Sequence, residues 1–186
     1  MKIKTAVLIE ELIERTKDHI NTIHGLKELS DDKLNWKSGL DRWSILENLE
    51  HLNRYGYFYL PEIQNRINQS VSKASVEFKS GILGNYFAKS MLPKQKLNKM
   101  KTFDSMNPLN SNLDRTTIDR FLSQQRTTLD LLDAARQINL TKVKTSISIS
   151  KFIKLRLGDT FRVIIYHNYR HMVQIQNVTE EYKRGK

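Results

Sequence analysis

No cysteine occurs anywhere in the 186 residues. That excludes disulfides, thiolate metal sites and a cysteine nucleophile, so any transition-metal site must be built from histidine and carboxylate. No apolar run approaches the ~20 residues of a membrane span. The start, MKIKTAVLIEELIER, has too short an apolar stretch for a secretory signal, and the expected compartment is the cytoplasm. The chain carries no glycine-rich phosphate loop and nothing that argues for a Ser-His-Asp arrangement. Internal repeats and low-complexity tracts are absent too. With 39% apolar residues there is enough material for a real core, and the length is that of one domain, residues 1–186.

Acidic residues are missing from two windows, and these account for the net charge of +11. Lys79 to Phe103 holds six lysines, and Ala134 to Gly158 holds six basic residues, which leaves the remainder at −1. The lysines are not interleaved with a stacking aromatic platform, and no nucleic-acid motif is present. The windows therefore read as basic surface around two connecting segments, with no specific nucleic-acid partner expected. A basic binding protein for an anionic partner such as nucleic acid is the alternative. A basic rim would equally attract an anionic small molecule.

Four segments repeat their apolar residues with helical spacing. The first has Leu8, Leu12, Ile13, Ile20 and Ile23, ending near Gly25; His19 and His24 fall here and read as surface or helix-edge residues. The second begins at Ser44, where Glu47 three residues on completes a capping-box pattern, and Pro61 is expected to kink or restart it. Trp36 and Trp43 read as anchors in the loop before it. Residues 69–115 form a long connection, with ILGNYFAKSML as a short helix inside it. The third helix has Ile118, Phe121, Leu122, Gln125, Leu129 and Leu132, ending near Gln137. VKTSISISKFIKLRLG alternates in places and reads as an extended tether or a lone strand without a sheet partner. Gly158-Asp159-Thr160 then gives a stop and a cap before the fourth helix, whose apolar seam runs Phe161, Val163, Ile164, Met172, Ile175 and Val178. The expected fold is all-α: a four-helix bundle with a long connection between helices two and three.

In the fourth helix, IIYHNYRHMVQIQN places His167 and His171 four residues apart. They share a face beside the apolar seam. The remaining histidine, His51, lies next to Leu52 in the second helix. One histidine from helix two and two from helix four can converge, and three histidines leave an open position on a zinc-like ion. Glu47 reads as the capping partner of Ser44 in preference to a carboxylate behind His51. Asn48, Tyr55 and Gln174 are pocket lining or ordinary inter-helix hydrogen bonding, and no catalytic acid or base is assigned.

WSILENLEHLNRYGYFYLPEI and LGDTFRVIIYHNYRHMVQIQNV together resemble the DinB-like (YfiT-like) superfamily. The resemblance extends over almost the whole chain. It rests on a histidine in the second helix and H-x-x-x-H in the fourth with glutamine three residues later: His51, His167, His171 and Gln174. It implies a four-helix bundle with a three-histidine divalent metal site, zinc or nickel, and a homodimer. It also implies a metal-dependent enzyme acting on a small molecule. Some relatives are transferases that use low-molecular-weight thiols; a hydrolase is the other reading. The basic windows and the long middle segment depart from the family pattern.

Overall fold

The computed structural model describes residues 1–93 and 101–185. Four helices carry the architecture: α1 (Thr5–His24), α3 (Ile45–Asn68), α5 (Thr116–Ala134) and α6 (Leu157–Arg184), with two shorter ones, α2 (Asp31–Asn35) and α4 (Ile82–Met91). Helices α3 and α1 each pack on both α5 and α6, so α1 faces α3 across the bundle and α5 faces α6. The molecule is mostly helical, as an all-α bundle requires.

The apolar core is split. One half joins Leu8, Leu12, Ile63, Leu132, Phe161 and Ile165. The other joins Ile23, Leu46, Leu49, Leu122, Met172 and Ile175. Between them lies a buried polar layer that takes a residue or two from each long helix: Thr16 and His19, His51, Gln125, and Asn168 with His171. Asn168 Nδ2 donates to Gln125 Oε1 at 3.0 Å across the bundle, and Thr16 returns its hydroxyl to the Leu12 carbonyl at 2.8 Å. Buried polar groups persist in a core when they find such partners.

His19 corrects an expectation: it is buried, whereas His24 at the helix end is exposed. Leu8, Leu12, Thr16, His19 and Ile23 follow one another at spacings of three and four, the inward stripe of α1. Helix α3 is not restarted at Pro61 either and continues through it as one helix. Proline removes the bond to the carbonyl of Tyr57, but both residues lie on the exposed side, where water can accept the loss.

The alternating stretch is not a lone strand. It folds on itself as an antiparallel hairpin of β3 (Lys144–Ile147) and β4 (Ser150–Arg156), pairing Thr145 with Leu155 and Ser146 with Lys154. Thr145, Ile147 and Leu155 point inward while Lys144 and Lys154 stay in solvent. A second ribbon pairs β1 (Lys2–Lys4) with β2 (Glu77–Lys79) and pushes Phe78 fully into the core. The Phe78 ring comes so close to the start of α6 that a Cβ at Gly158 would lie 2.6 Å from it, which explains the glycine.

Asp159 does not cap α6, which begins at Leu157 without a side-chain cap. Its buried carboxylate instead accepts from the Ser80 hydroxyl and, at 2.8 Å, from the Gly81 N–H that opens α4, and it pairs with buried Arg162 at 3.0 Å. Helix α4 is thereby pinned to α6. The connection from α4 to α5 then crosses α3, held by Arg54 donating to the Asn107 carbonyl at 2.9 Å and by the Asn110 N–H donating to Glu47 at 2.6 Å. In the basic windows, Lys79, Lys89, Lys101, Lys142, Lys144 and Lys154 are exposed, as expected, while Arg136 and Arg156 are half-buried; Lys94, Lys96, Lys99 and the side chain of Lys151 lie outside the described residues.

Candidate metal centre

The start of α3 is fixed by the predicted capping box. The Glu47 N–H donates to Ser44 Oγ at 3.1 Å, and the Ser44 N–H returns to Glu47 Oε2 at 2.8 Å. Glu47 is then fully engaged, since Oε1 also accepts from Asn110 and from Lys37, and it plays no part behind His51. With the first turn set, His51 sits two turns in, facing α6. On α6, His167 and His171 stack one above the other, four residues apart.

The three imidazoles meet through their Nε2 atoms. His167 Nε2 lies 3.2 Å from that of His51 and 3.1 Å from that of His171. The other edges of two rings are tied to oxygen: His51 Nδ1–H donates to the Met106 carbonyl at 2.7 Å, and His171 Nδ1–H donates to Asn48 Oδ1 at 2.8 Å. Asn48 is itself oriented, because its amide donates to the Ser44 carbonyl at 2.9 Å. These acceptors fix the tautomers of His51 and His171 and leave both Nε2 lone pairs aimed at one point.

That donor set suits a cation. A proton on His167 Nε2 serves one neighbour well and leaves the other lone pair facing it unmet. A divalent ion placed among them serves all three. Nitrogens bound at ~2.0–2.1 Å in tetrahedral array lie about 3.3–3.4 Å apart, close to the separations observed. The three side chains thus form a group that could hold a metal ion. Burial favours the neutral form that a metal needs. It pushes His51 down to about 4, partly opposed by the Met106 hydrogen bond and reinforced by Arg54. It pushes His167 well below its ordinary value, with further lowering from His51 and Arg170. His171 is lowered in the same way by burial, then by His167, His51 and Arg170.

The centre opens onto a cavity of about 670 Å³. Half-buried Trp43 packs against His51 and His171, with ring centroids at 4.7 and 5.9 Å, so it walls the site and does not merely anchor the loop. Tyr55 meets His51 and His167 edge-on at 5.0 and 4.9 Å. Trp36 does act as an anchor, edge to face with Tyr182 at the end of α6. Asn48, Tyr55 and Gln174 all line the cavity, where the sequence favoured ordinary inter-helix hydrogen bonding, and Asn48 additionally orients His171. Met106 could not have been found from side-chain chemistry, because it contributes a backbone carbonyl from within the long connection.

The profile of the DinB superfamily matches residues 13–175, a span that includes all three histidines. The chain belongs to the DinB superfamily. Comparison with curated proteins finds no match, and neither does comparison with solved structures. Family membership and the three-histidine group are together compatible with a metal-binding enzyme.

Proposed function

We propose that this DinB superfamily protein is a divalent-metal-dependent transferase that acts on a low-molecular-weight thiol. His51, His167 and His171 would hold the ion, zinc or nickel, through Nε2. The observation that carries the metal reading is the convergence of three Nε2 atoms, two of them stripped of their protons by oxygen acceptors on the far side of the ring. Three neutral ligands would leave the double charge of a bound ion undiminished. A bound ion supplies Lewis acidity, which makes a thiol or a water beside it far easier to deprotonate.

The rest is the work of the chain. Met106 and Asn48 hold His51 and His171 in the tautomer and rotation that present Nε2. Trp43 and Tyr55 flank the group and limit water, which strengthens every charge interaction within it. The thiol reading is supported by family resemblance, as is a homodimer.

Cobalt(II) in place of the native ion gives a direct test. A small thiol added to the cobalt protein should produce a sulfur-to-cobalt charge-transfer band, and His171→Ala should show none. With cobalt bound, absence of the band across a panel of small thiols would remove the thiol reading and leave the metal one.

A further inference from the structure

The cavity beside the histidines is a trough that follows α6 from Val163 to Glu181, about 27 Å at ~1.5 Å per residue. Its order along the bundle is fixed by ring contacts. Tyr55 touches His167 but Trp43 touches His171, so α3 and α6 run antiparallel past the trio and the trio lies in the middle of the floor. The two ends beyond it differ in chemistry.

Towards the start of α6 the walls are Val163 and Ile164 of that helix, Phe87 and Met91 of α4, and Ile147 and Leu155 of the hairpin. None of these six carries a charge or a side-chain hydrogen-bonding group; Tyr59 and Ser148, which also line the cavity, turn their hydroxyls to one another at 3.5 Å. Ile147 and Leu155 are buried, and the other four are half-buried with a face turned to the trough. The pinning of α4 by Asp159 and the folding of the hairpin both serve to build this end.

Towards the end of α6 the walls are Asp41, Arg42, Arg170, Gln174, Asn177 and Glu181, which carry both signs of charge. Gln174 Oε1 is buried and has no protein partner among the described residues. A buried amide oxygen without a donor is costly, and a turn of the Gln174 amide towards the cavity would let it accept from a ligand.

We infer that the trough takes an amphipathic molecule: an apolar chain or ring against Phe87, Met91, Val163 and Ile164, a zwitterionic head against Asp41, Arg42, Gln174 and Glu181, and the reacting atom between them over the histidines. The placement of the reacting atom rests on the proposed function; the two ends do not. A wholly polar ligand would leave the apolar walls wet. A wholly apolar one would cover Gln174 and the charged groups without replacing their water.

S-alkyl-cysteines from methyl to octyl test this, since they join a zwitterionic head to an apolar tail through a thioether. Binding is titrated calorimetrically to the full-length protein, as purified and after chelator treatment. Affinity should rise about three- to fourfold with each added methylene until the apolar end is full, in both preparations. Phe87→Glu should flatten that rise, and Arg42→Gln should weaken every member of the series by a similar factor. Affinity independent of chain length in the parent would overturn the proposal, whether or not Phe87→Glu folds. So would a Phe87→Glu protein of parental helicity with an unchanged rise. A protein that holds no metal but shows the chain-length dependence would refute the metal reading and leave this one standing.

Discussion

His19 shows how a single buried residue sets behaviour that no functional role explains. It sits in the polar layer, stacked on Tyr169 at 6.4 Å, and its Nδ1 has no protein partner among the described residues. Burial, with Arg15 adding to it, lowers its pKa to about 4. In the unfolded chain the same group titrates near 6.5, so between about 6.5 and 4 the unfolded state binds the extra proton. Stability from this residue is therefore complete above 6.5 and is lost as pH falls towards 4. From pH 7 to pH 5 the loss comes to about 2 kcal/mol. His19→Leu should lack that component. Urea midpoints of parent and variant at the two pH values should separate, because the site histidines contribute alike to both; an identical acid loss would contradict the assignment. The burial of His19 was legible in its spacing from Leu12 and Ile23, but comparing it only with His24 hides it. The convergence of His51, His167 and His171 was legible from the i, i+4 pair on the last helix and from the family resemblance, which adds His51 from the second long helix. The Met106 carbonyl was not, since every residue has one.

At the scale of elements, periodicity located the four long helices, the short helix at Ile82–Met91 and the capping box at Ser44. It failed where structure depends on distant pairing. The β1–β2 ribbon joins the two ends of a long stretch of chain. The hairpin is local, but its two-residue turn, Ser148-Ile149, has none of the Asn, Asp or Gly that marks such a turn in a sequence. Pro61 failed as a breaker because its position on the outer face lets solvent satisfy the freed carbonyl. Asp159 was read as a local cap, but its partners are Ser80 and Gly81, far off in sequence. Its carboxylate and Arg162 are both buried, so removing one leaves the other charge with only neutral partners, Ser80 and Asn85. Asp159→Ala should cost about 3–5 kcal/mol in urea denaturation. Adding Arg162→Met should recover part of that loss, since no buried charge then remains. A single-variant loss within about 1 kcal/mol of zero would mean that the α4–α6 junction is held by packing alone.

For the whole molecule, the division of the core into two apolar halves has a consequence for the centre between them. The halves bury large side chains from all four long helices and do not need the polar layer to cohere. Metal removal should therefore leave the bundle helical, unlike a zinc finger, which unfolds without its ion. The proposed ion would depend strongly on the bundle in turn: the three nitrogens come from two helices, and two histidines alone hold zinc poorly against water. No described helix is long and apolar enough to cross a membrane, and nothing in the bundle beyond the trio offers a comparable set of metal ligands among the described residues. Elemental analysis of the untagged protein beside His51→Ala, His167→Ala and His171→Ala, with circular dichroism on each, bears most directly on the central claim. The parent should hold one divalent ion per chain and each variant little or none, with helical spectra throughout. A parent without stoichiometric metal, or three variants that keep the parent's full content, would contradict it.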